Sequence, residues 1–311
     1  MTEIITFRSG MPPLGPAVVA IGVFDGVHLG HQMLVKDAIE LAHTSDARAV
    51  VLTFDRDPDR VVMPDKAAPQ LLELEDKVRL LAELGPDIVL VVPFDTAVAA
   101  MTPEAFIDHV LLASVTPIAV AVGHDFRFGT RASGDIGTLQ DSGRVHGFAV
   151  RSHDLLEADG APVTSTRIRA MLAQGDVSGA TRLLGRRHFV SGRVTRGRGA
   201  GHELGVPTAN VMTHSWTALP ADGVYAGRAR LGDTWHDCAV SVGLPPTFPG
   251  ASDLLEAHLI DYDGPDLYGE TLTVEFVGRV RDQRRFSARE ELTAAIAADI
   301  TTVRELLKSG G

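Results

Sequence analysis

The chain has 311 residues, 45% of them hydrophobic and 22% charged, with a formal net charge of −11 and a single cysteine, Cys238. That length holds one large domain or two ordinary ones. The lone cysteine excludes an internal disulfide or a cysteine zinc cluster, and the acidic balance argues against broad non-specific nucleic-acid binding. No apolar run approaches the roughly 18–20 residues of a membrane-spanning helix, and MTEIITFRSGMPPLG has neither the basic start nor the apolar core of a secretory leader. The chain therefore reads as cytoplasmic, with small-molecule rather than nucleic-acid or membrane partners; its oligomeric state stays open.

Up to about residue 185 the pattern alternates. VVAIGVF (18–24), AVVLTF (49–54), IVLVVPF (88–94), IAVAVG (118–123) and GFAVRS (147–152) are short apolar runs, as expected of strands covered on both faces. Helical patterns lie between most of them. Leu34, Ala38, Leu41 and Ala42 share one helical face, and so do Leu74, Val78 and Leu81. In TPEAFIDHVLLAS, Thr102 is placed as an N-cap with Pro103 at the first helical position. Strands alternating with helices predict an α/β unit with a doubly wound, mainly parallel sheet.

After RLLGRR the texture changes. HFVSGRVTRG, PTANVM, GVYAGRARLG, DCAVSVG, LLEAHLIDYD and TLTVEFVGRVR are strand-like segments separated by Gly, Pro and Asp, the spacing of an all-β antiparallel barrel. A last segment, Ser287 to Leu307, reads as a helix with Ser287 as N-cap and Glu290 completing a capping box. The change of texture predicts a boundary near Gly185, with domains 1–185 and 186–311, so function is sought twice.

In the first part, AIGVFDGVHLGHQMLV (20–35) runs a strand into a helix through His28 and His31, which face one way in a first helical turn. The strand would deliver Asp25 and Gly26 to the carboxyl edge of the sheet, and the helix beginning near Leu29 would aim its positive end at an anion. Two imidazoles there could donate to a phosphate and stabilise charge building on transferring oxygens. A single histidine at a helix start is ordinarily a surface turn residue, and HExxH is absent, which disfavours zinc. The company changes that reading. GHDFRFGTRASGD (123–135) follows the fourth strand and TSTRIRAML (164–172) opens a further helix, so three phosphate-suited elements converge on one sheet edge.

In the second part, the Gly/Arg-rich GRVTRGRGAGHELGVPTANV (192–211) suits close backbone approach to phosphates, although GK[ST] is absent and a solvated hairpin would look the same. Thr208 and Asn210 share one strand face and offer hard oxygen ligands of the kind Mg²⁺ accepts. Glu256, within an apolar strand, is either a satisfied strand residue or a base for an alcohol.

The ordered set GxFDGxHxGH, GxDFxFGxxxxGD and STxIR resembles the adenylyltransferase half of the bacterial bifunctional riboflavin kinase/FAD synthetase family, which belongs to the HxGH nucleotidyltransferases. GxxLGxPTANV, PADGVYA, SVGxxPTF, EAHLxD and LYGETLxVEFVxRxR, in that order, resemble its riboflavin kinase module, so the resemblance covers nearly the whole chain. It implies a Rossmann-like first domain and a six-stranded antiparallel barrel with a terminal helix. It further implies that His28 and His31 contact ATP phosphates and stabilise the transition state as the FMN phosphate attacks the α-phosphate. Gly22, Phe24, Asp25 and Gly30 fall in the same nucleotide-binding motif; Ser165, Thr166 and Arg169 match the group that holds departing pyrophosphate; Asp125, Phe126 and Phe128 match the flavin-binding loop.

In the second half the resemblance gives Gly197 and Gly199 to the phosphate loop, Thr208 and Asn210 to Mg²⁺-ATP, and Glu256 to proton removal from the ribityl 5′-hydroxyl. The implied function is phosphorylation of riboflavin to FMN and adenylylation of FMN to FAD. A paralogue acting on a flavin analogue or with one active half, and a non-catalytic flavin-binding protein, are the alternatives. The chain departs from the family in TFDRDPDR, where Arg56 and Asp57 replace Pro and His, in Val206 for Phe, and in Leu244 and Pro245, where the family has TNPTF.

Overall fold

All five apolar runs of the first part become parallel strands in the computed structural model, which describes residues 1–196, 206–243 and 255–309. By contact the chain divides into two compact units, Met1–Ser165 and Thr166–Gly311.

In the first unit, β1 (Glu3–Thr6), β2 (Pro16–Ile21), β3 (Arg48–Phe54), β4 (Ile88–Val92), β5 (Thr116–Gly123) and β6 (Ala149–His153) form a six-stranded sheet in the order β1-β4-β3-β2-β5-β6. Every pairing in it is parallel. Strand β1 was not expected: EIIT is short, largely exposed, and lies at the sheet edge, so no two-sided apolar run announces it. The central strands are buried along nearly their whole length, which is why they read as continuous apolar runs. Leu34, Ala38 and Ala42 of α1 (Leu29–Thr44), and Val78 and Leu81 of α2 (Leu74–Glu83), are buried as the periodicity requires, and Val35 with them, while Leu41 and Leu74 of the same stripes are half-buried. Thr102 caps the next helix by accepting from the Ala105 N–H at 3.2 Å, and that helix runs on from Phe106 through a π-turn at Ile107–Leu111. Asp135 caps the last helix of the parallel-sheet layer, α3 (Ile136–His146), in a capping box with Thr138.

The chain winds outward from β2 through β3 to β4, then returns to the other side of β2 for β5 and β6. The order therefore reverses between β2 and β5. Their carboxyl ends, at Ile21 and Gly123, flank the crevice where open α/β sheets receive ligands.

The second unit takes α4 (Ser165–Ala173) from Thr166 onward, then α5 (Val177–Leu184) and a barrel. The barrel closes in the order β10-β13-β12-β11-β14-β9, from β9 (Phe189–Thr195), β10 (Ala209–Met212), β11 (Gly223–Leu231), β12 (Thr234–Val242), β13 (Leu255–Leu259) and β14 (Thr271–Arg281). The helices stay with it through bonds from Ala221 N–H to the Leu172 carbonyl (2.8 Å) and from Arg279 to that of Gln174 (3.4 Å). Gly185, in the left-handed region at φ 69°, ends α5 where the texture of the sequence changes.

Tyr225 and Phe276 fill the barrel interior, while Ala226, Ala239 and Ile260 meet Val303 and Leu307 of the terminal helix α6 (Arg289–Ser309). Arg281 of β14 grips Asp299 of α6 through both carboxylate oxygens, the closest contact being 2.7 Å. The helix starts later than expected, and this corrects the capping box: the Ser287 N–H and hydroxyl donate to Glu291, at 3.2 and 2.9 Å, rather than to Glu290. With Arg289 as the first helical residue, Glu291 stands at the third position, the one that reaches back.

Candidate functional site

Beyond β2 the backbone makes a tight turn in which Phe24 (φ 55°) and Val27 (φ 42°) join Gly26 (φ 84°) in the left-handed region. For side-chain residues, and above all β-branched Val27, this costs of order 1–3 kcal/mol each. Burial of Phe24 and Val27 offsets part of that, and polar anchors fix the rest. The Asp25 carboxylate, itself buried, accepts from the backbone N–H of Leu71 (3.0 Å) and Leu72 (3.2 Å). Side chains hold carbonyls of the turn: Val23 is held by Thr53 (3.1 Å) and Lys77 (3.2 Å), Asp25 by the Ser165 hydroxyl (2.7 Å), and Val27 by Gln32 (2.9 Å).

The turn ends at His28, the N-cap of α1, whose Nδ1 accepts from the His31 N–H at 3.3 Å. The two imidazoles stack at 3.6 Å with 19° between their planes, and Phe24 meets His31 edge-on at 5.2 Å. Two glycines of the motif are explained by this packing. A Cβ at Gly30 would lie 3.3 Å from the His28 ring, and one at Gly22 3.0 Å from Phe24. Burial, then the neighbouring His28 and Lys77, holds the His31 pKa well below its ordinary value, so the ring is neutral at pH 7. Its Nδ1 is buried without a hydrogen-bond partner among the described residues. No acidic side chain stands in the first turn of α1, leaving the positive helix end uncompensated there.

Along the β5 edge, Asp125 is exposed, Phe126 half-buried, and Phe128 buried in the core against Phe106. Phe126 and Phe128 stack at 5.4 Å, so the buried ring anchors the more exposed one. Ser165 joins the turn directly through Asp25, whereas Thr166 and Arg169 stand on α4 in the second unit. In the departing segment after β3, Arg56 pairs with Asp55 at 2.8 Å and Asp57 accepts from the Asp59 N–H at 3.1 Å.

In the barrel, Asn210 is paired in register with Glu256, and Glu256 with Ser241. Strand parity sets these three on the outward face, which at Ala239 packs against α6, while Ala209, Ala257 and Val240 turn inward. The Thr208 hydroxyl lies 3.4 Å from Glu256 Oε2, and His258 Nδ1 meets the Pro207 carbonyl at 2.8 Å. Gln283 donates to the Ser241 hydroxyl (2.9 Å) and the Val242 carbonyl (3.1 Å), tying the segment after β14 to this row. Thr208, Asn210 and Glu256 are thus brought together. Gly197, Gly199, Leu244 and Pro245 lie outside the described residues.

Residues 12–167 match the family model described as FAD synthetase, and residues 184–307 the one described as riboflavin kinase. A relative from Escherichia coli strain K12, named bifunctional riboflavin kinase/FMN adenylyltransferase, is 37% identical over 94% of this chain and 93% of its own. One of the same name from Bacillus subtilis is 33% identical over 91% of this chain and 90% of its own. The chain belongs to the bifunctional riboflavin kinase/FMN adenylyltransferase family.

Both transferase activities in the family name come with the two matched domains. A solved structure from Streptococcus pneumoniae, titled as a macrolide-efflux protein, superposes with a TM-score of 0.84 at 28% identity, covering 97% of this chain and 98% of its own. The efflux title belongs to that protein; among the described residues here no helix is long and apolar enough to cross a membrane. ATP is the phosphoryl and adenylyl donor that two such domains imply, usually with a divalent metal.

Sequence reading missed Lys77, Gln32 and Thr53 in the adenylyltransferase half, and Ser241, His258 and Gln283 in the kinase half. For Lys77 a signal existed: it falls on the same helical stripe as Leu74, Val78 and Leu81, where an unpaired charge has no reason to be.

Proposed function

We propose that domain 1–185 adenylylates FMN at the Phe24–His31 turn and domain 186–311 phosphorylates riboflavin at the Thr208–Asn210–Glu256 cluster, in the cytoplasm. The observation that carries this reading is the stacked His28–His31 pair at the positive end of α1, whose first turn holds no acidic side chain, beside the point where the strand order reverses. Helix-end amides with Gly22, Phe24, Asp25 and Gly30 shape the nucleotide pocket. The neutral His31 donates through a ring N–H and, with His28, stabilises charge on the α-phosphate as the FMN phosphate attacks. Arg169 and Thr166 supply donors for departing pyrophosphate. The Ser165 hydroxyl proton is engaged with the Asp25 carbonyl of the turn. Asp125 and Phe126 face the flavin, with Phe128 holding their loop.

In the kinase half, Thr208 and Asn210 offer hard oxygens beside Glu256, a pair suited to Mg²⁺. Thr208 and Asn210 would hold such an ion with ATP, where it would supply neutralisation of phosphate charge. Glu256 takes the proton of the ribityl 5′-hydroxyl, and Thr208 stands beside its carboxylate. Incubating the chain with riboflavin and Mg²⁺-ATP and separating the flavins by chromatography tests the reading. FMN should appear first and FAD after it; a folded chain that makes only one of them refutes the two-site assignment.

A further inference from the structure

The α2 lysine lies among apolar neighbours, with Lys77 only 4% exposed. Its amine donates to the Phe54 carbonyl at 2.7 Å and to the Val23 carbonyl at 3.2 Å. Phe54 is the last residue of β3, and Val23 lies two residues beyond the end of β2, where the turn departs. Thr53, Ser165 and Gln32, which hold other carbonyls of this turn or share Val23, are neutral donors; Lys77 brings a charge. The same stretch of chain grips the turn again, since Leu71 and Leu72, just ahead of α2, bind Asp25 through their amides. No step of either transfer uses this buried ammonium.

We propose that Lys77 is a positioning residue of the adenylyltransferase: its ammonium clamps the carboxyl ends of β2 and β3 and holds the left-handed turn in the shape that presents His28 and His31. The proposal rests on the reading that those histidines act on the nucleotide. A neutral amine keeps one lone pair and two protons, so losing the charge weakens both charge-assisted bonds to carbonyls. Burial lowers the Lys77 pKa to about 8, against the pull of the Asp25, Asp57 and Asp55 carboxylates, and the Lys77 charge in turn helps to lower the pKa of His31 on α1. Since the charged form does the holding, the clamp is intact below that pH and weakened above it.

The test uses the full chain, in which the kinase is an internal control on folding. K77M should lower kcat for FAD formation from supplied FMN by roughly tenfold to a hundredfold, the scale of a misplaced catalytic group, with KM for FMN and the rate of FMN formation from riboflavin within about twofold of the parent. K77R, whose guanidinium stays charged, should recover most of kcat and lose the alkaline fall in rate that the parent shows above about pH 8. His28→Ala run alongside separates the two ideas: retained FAD formation there refutes the site assignment, whereas its loss with K77M unimpaired refutes the clamp alone. Should K77M not fold, identical alkaline limbs in K77R and the parent overturn the proposal by themselves.

Discussion

The turn that carries His28 and His31 and the strand pair that carries Asn210 and Glu256 hold their side chains by opposite means. The turn is strained at Phe24 and Val27 and is kept in shape by groups far off in the chain, from Thr53, Leu71, Lys77 and Ser165. The barrel pair lies in regular antiparallel register, where neighbours across strands are set by the ladder itself. An anion site of backbone amides needs an irregular backbone, and irregular backbone needs outside support. A cluster of side-chain oxygens needs only adjacency, which β-pairing supplies.

The largest expected effect breaks the two halves apart. His31→Ala should lower FAD formation from supplied FMN by about 10² to 10³, as loss of a transition-state donor does, while FMN formation from riboflavin stays near the parent rate. Equal loss of both in a folded variant would show that the sites are not independent. The mirror experiment is Glu256→Gln, which keeps shape and removes the carboxylate proposed as base: FMN production should fall by roughly 10², with adenylylation retained. A kinase rate unchanged by that substitution would return Glu256 to the role of a strand residue.

A third prediction separates the units by stability. His188, buried in the barrel unit with Nε2 2.9 Å from the Ala218 carbonyl and its ring stacked on Phe276, has its pKa lowered to about 4 by burial. An unfolded histidine titrates near 6.5, so between about pH 6.5 and pH 4 the unfolded chain takes a proton that the folded one refuses. Stability from this group is therefore full above pH 6.5 and falls by about 3 kcal/mol as pH drops to 4. Trp216 and Trp235 are the chain's two tryptophans and both lie in the second unit, so fluorescence-detected urea unfolding reads it selectively. His188→Gln, which can still donate to Ala218, should flatten the slope; an equal slope in parent and variant would show that His188 is not its source.

The smallest effect concerns the kinase departures. Val206→Phe with Pro245→Asn restores aromatic bulk beside the PTAN strand and a backbone donor, and should raise kcat/KM for riboflavin severalfold. No gain in a folded double variant would mark both substitutions as neutral repacking.

The alternating apolar runs of the first part and the short, punctuated strands of the second were enough to read both architectures, because strands covered on two faces and strands covered on one differ in residue pattern alone. His28 and His31, and Thr208, Asn210 and Glu256, were picked out from short motifs of local spacing, and the structure sets His28 against His31 and Thr208 against Glu256. Edge strand β1 was not, because EIIT has one neighbour and little burial to shape its composition. Tertiary structure alone decided that Lys77 reaches the Val23 and Phe54 carbonyls, that Asp25 spends its carboxylate on Leu71 and Leu72, and that Phe128 belongs to the core while Phe126 does not. Those outcomes depend on which distant segments meet at one sheet edge, and a contact across fifty residues leaves no periodicity for a sequence to display.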